Sequence, residues 1–321
     1  MQLSDAFDTF YDRISLNVKP TEKIEVAARG LTEYLSNAYG VAQARVFLQG
    51  SFPNGTAVEP ENADTGEYDV DLVCATVGGD FSCDAALANV EQTLAAHGTY
   101  EKLLRGNQSR KKPCVRLFYA EDDIGAFHVD VVPARGSQSS DLEGPLEVPR
   151  RGDGWYDTAP AEYTDWCQSR GERFARTVKM LKRWRNYTQD ARKSIKSIVL
   201  QVLAATHLGP QGSDAEALVG TLESMQRALA PYPESPPRIQ NPVLLQEDLA
   251  ARWEDSSYRD FIKHLDTALD LAQRALAETD PESSHNLWIA LLGEDFPEYD
   301  PGDGGGRAAV LPATPAPGHH R

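Results

Sequence analysis

The sequence predicts an α+β protein of two lobes, a mixed β-sheet lobe followed by a C-terminal helical lobe. Two observations carry that expectation. Short apolar segments with period-2 alternation, separated by Gly, Pro, Asn and Asp, concentrate before residue 133. Longer segments whose apolar residues recur near a 3.6-residue period concentrate after residue 160. Strand-rich then helix-rich is the order of an α+β lobe with a helical lobe appended. The 321 residues, 41% of them hydrophobic, suffice for one large two-lobed domain or two medium ones.

Taken in order, residues 3–17 and 21–39 read as helices. In the second, Ile24, Val26, Ala27, Leu31, Tyr34 and Leu35 fall close to a 3.6-residue period, and Thr21 after Pro20 marks a start. Residues 41–49 read as a strand, residues 50–55 as a turn and residues 59–67 as a polar loop. Strands are expected at 68–75, 100–105, 114–119 and 127–132, with a helix at 84–97. A loop rich in Gly, Ser and Pro runs from 133 to 160. Helices follow at 161–187, 194–208, 213–230, 245–252 and 256–278, and residues 299–321 have the composition of a disordered tail. The expected units are 1–160, 161–298 and that tail, with the N-terminal helix able to span both lobes.

Charge and cysteine usage narrow the function classes. The formal net charge of −16 repels polyanions, so a long RNA or DNA substrate is not expected. Residues 170–196 depart from that balance, with ten basic and two acidic residues, a local net of +8. Such a band suits a small polyphosphate ligand or, equally, a solvated basic helix. Four scattered cysteines without a CxxC pair argue against structural zinc and favour a reducing, cytoplasmic setting. No membrane-length apolar run and no secretory signal are read in the chain.

Three features carry chemistry. The first strand runs into Gly50-Ser51, a small turn leading toward a helix, whose backbone N–H groups and Ser51 hydroxyl can cradle phosphate oxygens. Asp69 and Asp71 lie on the next strand, in Tyr68-Asp69-Val70-Asp71-Leu72-Val73, and residues i and i+2 of a strand share a face. Two adjacent carboxylates repel each other unless solvated or bridged by a divalent cation. Magnesium is a hard ion that takes carboxylate, water and phosphate oxygens. Asp130, in Phe127-His128-Val129-Asp130-Val131-Val132, shares the polar face of its strand with His128. An acid in so apolar a strand needs a partner, either a metal shared with Asp69 and Asp71 or an arginine such as Arg116.

The combination resembles the bacterial cGAS/DncV-like nucleotidyltransferases, the cyclic-oligonucleotide synthases of CBASS antiphage systems. Gly50-Ser51, Gly55-Thr56 and Asp69-Val70-Asp71-Leu72-Val73 are similar to that family's active-site block. Asp130-Val131-Val132-Pro133-Ala134 with Trp155 and Pro160 is similar to its next block. Met180-Leu181-Lys182-Arg183-Trp184, Ser197-Ile198-Val199-Leu200, Ile239-Gln240-Asn241-Pro242 with Glu247-Asp248-Leu249, and Trp288 with Gly293-Glu294-Asp295-Phe296-Pro297 resemble its helical lobe.

The resemblance implies a polymerase-β-like nucleotidyltransferase core and a helical lobe around a central cleft. It implies two Mg2+ ions, replaceable by Mn2+, with Asp69 and Asp71 bridging both and Asp130 holding the one that activates a ribose hydroxyl. It places the β- and γ-phosphates at Gly50 and Ser51, with Lys182 and Ser197 reaching the triphosphate from across the cleft. From the residues alone, Lys182 could equally be a surface lysine, Ser197 could bond only its own backbone, Trp184 belongs to the core, and Arg110, Lys111 and Lys112 could line the acceptor side or a solvated loop. The implied substrates are nucleoside triphosphates, ATP among them, joined into a cyclic di- or trinucleotide. A CBASS accessory protein acting on the C-terminal tail is a further implied partner. The competing readings are an RNA-terminal, small-molecule or protein nucleotidyltransferase on the same fold, and a catalytically silent nucleotide-binding module.

Overall fold

A computed structural model describes residues 1–60, 68–77, 82–106, 113–119, 127–136, 142–150, 154–188, 190–210 and 212–301. Arg110, Lys111, Lys112 and the tail from residue 302 lie outside the described residues.

One six-stranded mixed sheet organises the first half. Its strands are β1 (Ala44–Gln49), β2 (Tyr68–Thr76), β3 (Val115–Tyr119), β4 (Phe127–Gly136), β5 (Leu146–Arg150) and β6 (Gly154–Thr158). The spatial order is β1-β2-β4-β5-β6, with β3 pairing β4 off that path. Pairing is antiparallel except between β2 and β4, which run parallel. Helices α1 (Ser4–Ile14) and α2 (Val18–Tyr39) precede the sheet. Helices α3 (Cys83–Ala95) and α4 (Gly98–Glu101) separate β2 from β3. The second half is helical: α5 (Pro160–Ser169), α6 (Gly171–Tyr187), α7 (Ala191–Ser194), α8 (Ser197–Thr206), α9 (Asp214–Leu229), α10 (Asp255–Ala277) and α11 (Pro281–Leu292).

Two main apolar clusters form, and the first two helices divide between them. The inner faces of β2, β3 and β4 bury Val70, Leu72, Val115, Leu117, Val129 and Val131 against Ile24, Leu31 and Leu35 of α2. Phe7, Phe10 and Ile14 of α1 join the helical cluster instead. There Phe7 packs edge-on against Trp288 at 4.9 Å and Phe296 at 5.1 Å between ring centroids, the offset geometry that aromatic quadrupoles favour. Trp184 is buried in the same cluster, as its place in the sequence implied.

Several expected elements differ. Residues 100–105 are not a strand but the end of α4 and a turn, whose Leu103 and Leu104 pack on the sheet core. The apolar pair is buried by a turn, and a short apolar run does not distinguish that from a strand. The loop expected over 133–160 contains the rest of β4 and the β5–β6 hairpin. Helix α2 begins at Val18, with Pro20 inside its first turn, where the missing N–H costs nothing. The helix expected over 161–187 breaks at Gly171, whose φ of +80° no helix accepts. Residues 245–252 are turns pinned by Asp248, whose carboxylate accepts from the N–H groups of Ile239 and Ala250. Helix α11 was not foreseen.

Much of the basic segment is engaged with other parts of the fold. Arg173 and Arg176 of α6 clasp Asp214 at the start of α9, and Arg176 also reaches Asp8 of α1 at 2.7 Å. Lys179 donates to the Tyr11 hydroxyl at 3.3 Å and to Ser15 at 3.1 Å. Arg183 donates to the Glu59 carbonyl at 2.9 Å. Much of the positive charge on α6 thus fastens other segments to the helical core.

Candidate active site

The β-ladder register assembles a polar face opposite the sheet core. Asp71 stands across from Gln49 of β1 and from Asp130 of β4; Asp69 stands across from His128, and Arg116 of β3 across from Asp130. Alternation therefore puts Asp69, Asp71, Arg116, His128 and Asp130 on one face, while Val70, Leu72, Leu117, Val129 and Val131 fill the core on the other.

Within that face the groups are close. One ligand atom each from Asp69, His128 and Asp130 fall within 4.8 Å of one another. His128 Nε2 lies 2.6 Å from Asp69 Oδ1. Arg116 grips Asp130 through both carboxylate oxygens, Nε to Oδ1 and Nη2 to Oδ2, each at 2.6 Å. Its Nη2 also lies 3.5 Å from Asp69 Oδ1. The hydrogen bond to Asp130 pushes the Arg116 pKa further up. Exposure separates the acids: Asp130 is 2% exposed, whereas the Asp69 side chain is 58% exposed. The arginine partner left open for Asp130 is thus present, and Asp130 still lies close to Asp69; Asp71 is its ladder neighbour on β2 and is not part of that close group. Strand register is not legible from sequence alternation, so the meeting of His128 with Asp69 emerges only from the pairing of β2 with β4.

Asp71 is placed by the Gly50 turn. Gly50 has φ +85°, and a Cβ there would sit 2.9 Å from Asp71 Oδ2. Replacing Gly50 with Ala should displace the Asp71 carboxylate and strain the turn. The expected result is a loss of at least about tenfold in activity, a small fraction of what losing the carboxylate itself would cost. Steady-state rates alongside a melting curve check this, and an unchanged rate would remove Gly50 from the account. The turn itself is not followed by a helix, contrary to expectation. It closes with Asn54 N–H on the Gly50 carbonyl at 3.3 Å and Thr56 N–H on the Ser51 carbonyl at 3.0 Å. Helix α5 braces it, Thr164 donating to Asn54 Oδ1 at 2.7 Å and Gln168 to the Pro53 carbonyl at 3.0 Å.

Lys182 enters from α6. Its ammonium is buried and donates to the Thr56 carbonyl at 2.8 Å, so it is no surface lysine. Burial first, and the Arg185 charge second, lower its pKa to about 7. Between about pH 7 and its ordinary value of 10.5 the unfolded chain holds a proton that the folded chain has lost, so folding stability rises with pH across that window. Lys182→Met should therefore be most stable relative to wild type below pH 7, with the gap shrinking toward pH 10. Urea unfolding at pH 6 and pH 9 measures it; a constant gap would contradict a titrating buried amine. Ser197 opens α8, and its hydroxyl accepts from Arg185 Nη1 at 2.9 Å.

A cavity of about 1130 Å3 lies over this face. Gly50, Ser51, Asp69, Asp71, Lys182 and Ser197 all line it, together with the β5–β6 hairpin and the 241–252 segment. The sheet lobe thus supplies carboxylates and a turn, and the helical lobe supplies a buried lysine and a serine, to one space. Hard oxygen donors on one face, beside a cavity open to a polyanion, fit a magnesium-type ion. The buried imidazole of His128 suits orienting Asp69 more than binding so hard an ion. The four cysteines are free thiols. Among the described residues no helix is long and apolar enough to cross a membrane.

Comparison with known proteins agrees with this fold. The Second Messenger Oligonucleotide or Dinucleotide Synthetase domain (SMODS) matches residues 1–170. A cyclic AMP-AMP-AMP synthase of Acinetobacter sp. is 25% identical over 271 residues, covering 81% of this chain and 75% of that protein. Among solved structures, CdnG of Bradyrhizobium diazoefficiens in complex with GTP superposes with a TM-score of 0.73 at 17% identity, over 90% of this chain and 94% of that one. CdnC of E. coli MS115-1 with ATP gives a TM-score of 0.70 at 18% identity, over 92% and 98%. Its family match spans more than half its length and its fold is theirs: the chain belongs to the SMODS family of cGAS/DncV-like nucleotidyltransferases, enzymes that build second-messenger nucleotides.

Proposed function

We propose that this enzyme joins nucleoside triphosphates, ATP among them, into a cyclic di- or trinucleotide for antiphage defence. The observation that carries the reading is the register of β2 and β4, which sets Asp71 across from Asp130, with Asp71 itself beside the Gly50 turn and lining the cavity. In each transfer a ribose hydroxyl oxygen bonds to the α-phosphorus of a second triphosphate. The bond to the β-phosphate bridging oxygen breaks, pyrophosphate leaves, and the hydroxyl proton passes to solvent.

Each residue has a role in that step. Asp69 and Asp71 would hold two Mg2+ ions, with Mn2+ able to substitute, and Asp130 would share one of them. When bound, such ions neutralise the triphosphate and stabilise the attacking and leaving oxygens. His128 orients Asp69, and Arg116 fixes the rotamer of Asp130. Gly50 and Ser51 meet the β- and γ-phosphates, while Lys182 and Ser197 meet the triphosphate from the helical lobe. Both lobes then close on one substrate, the positioning that in-line transfer requires. We place the division between lobes at residue 160. A partner protein is compatible with the CdnC relative, whose structure is also known as a CdnC:HORMA-deltaN complex.

The test is mass spectrometry of products made from the four nucleoside triphosphates with Mg2+ or Mn2+ and no added acceptor. A small phosphatase-resistant product is expected. Pyrophosphate release that occurs only when an RNA, a drug or a protein is supplied would favour the same chemistry on another acceptor.

A further inference from the structure

The cavity has a second cationic station, away from the carboxylates. The β5–β6 register pairs Val148 with Tyr156 and Arg150 with Gly154. Alternation therefore puts Val148, Arg150, Tyr156 and Thr158 on one face of the hairpin, and all four line the cavity. The Arg150 guanidinium carbon lies 4.4 Å from the centroid of the Tyr156 ring. Arg252 approaches the same ring from the helical lobe, at 5.7 Å. One tyrosine thus gathers an arginine from each lobe at the wall of the cleft. A cation–π contact of this kind fixes the plane of a guanidinium, and its N–H donors lie in that plane.

This station answers a charge problem in the proposed reaction. Joining two nucleoside triphosphates brings two triphosphates into one cleft of a protein with net charge −16. The donor's triphosphate would be met by Ser51, Lys182 and the cations that Asp69 and Asp71 would hold. The acceptor arrives with a triphosphate of its own. Besides Lys182, the cationic residues lining the cavity are Arg150, Lys196 and Arg252. Strand β6 is three strands from β2 in the sheet, roughly 14 Å at ordinary strand spacing. That is on the order of the length of a nucleoside triphosphate whose ribose hydroxyl sits at the acids. The cavity of about 1130 Å3 exceeds the range of about 300–1,000 Å3 usual for a single small ligand.

We propose that Arg150 and Arg252, gathered by Tyr156, bind the 5′-triphosphate of the acceptor nucleotide. Guanidinium groups suit this ligand because their planar donors engage phosphate oxygens in pairs. Supplied by both lobes, they also tie cleft closure to the arrival of the second substrate. The assignment rests on the nucleotidyltransferase reading above.

The experiment offers one donor triphosphate with either a nucleoside triphosphate or the matching nucleoside monophosphate as acceptor. It compares kcat/KM for the two acceptors in wild type, Arg150→Met, Arg252→Met and the double variant, with melting curves to show that each is folded. Wild type should prefer the triphosphate acceptor by about tenfold or more, the scale of one or two charge-assisted contacts. Each single variant should lower that preference and the double variant should abolish it. The KM for donor and the affinity for Mn2+ should stay unchanged. A double variant that keeps the preference overturns the proposal. So does equal loss on both acceptors, which would mark the cluster as a base-stacking platform. A wild-type enzyme that transfers to neither acceptor would sink the wider catalytic reading along with it.

Discussion

Asp71→Asn should lower metal-dependent pyrophosphate release by about 10³-fold or more while leaving the fold intact. The expected size follows from removing a charged donor aimed at developing transition-state charge, where one preorganised group is worth about 10²–10³-fold and a metal ligand more. The structure makes Asp71 the sharpest of the three acids to test. It stands between Gln49 and Asp130 in the ladder, and its Oδ2 rests against the Gly50 turn. Asn fills the same volume, so packing is little disturbed, and the melting temperature should move by only a few degrees. A variant that retains activity within tenfold of wild type would take the β2 carboxylates out of the mechanism.

The second large effect is on stability, at Arg116. Asp130 is nearly inaccessible to solvent, and Arg116 satisfies both its oxygens. Breaking a buried pair from one side strands a charge and costs about 3–5 kcal/mol. Arg116→Met should therefore be strongly destabilised in a chelating buffer. Divalent cation then has two consequences. It binds a site with one less competing positive charge, and it stabilises only the folded chain. Millimolar Mn2+ should restore a substantial part of the lost stability in the variant and shift wild type much less. Denaturation with EDTA and with Mn2+ measures this. Equal loss in both conditions would show that Asp130 does not face a cation site.

What could be read in the sequence follows from what strands do locally. Period-2 alternation in Tyr68–Ala75 and Phe127–Val132 places Asp69 with Asp71, and Asp130 with His128, on defined faces without tertiary information. It cannot say which strands are neighbours. The parallel pairing of β2 with β4 is what brings Asp71 opposite Asp130 and Asp69 opposite His128. The choice between a metal and Arg116 as partner to Asp130 stayed open for the same reason. The hairpin that carries Arg150 and Tyr156 lies hidden in a stretch dense in Gly, Ser and Pro. Pro149 lies within one of its strands, and each strand is only five residues long. Net charge counts side chains but not their partners: in the basic segment Arg173, Arg176 and Lys179 are committed to α1 and α9, while Lys182 and Lys196 line the cavity.

The resemblance set out from the motifs and the fold comparison agree on the family. The roles of individual residues rest on the geometry described above, and above all on the carboxylates binding divalent ions together. Mn2+ titration followed by electron paramagnetic resonance, with a non-hydrolysable triphosphate analogue present, tests that claim most directly. Wild type should bind two Mn2+ per chain, and Asp71→Asn should lose at least one of them. Identical Mn2+ binding by wild type and the variant would contradict the account.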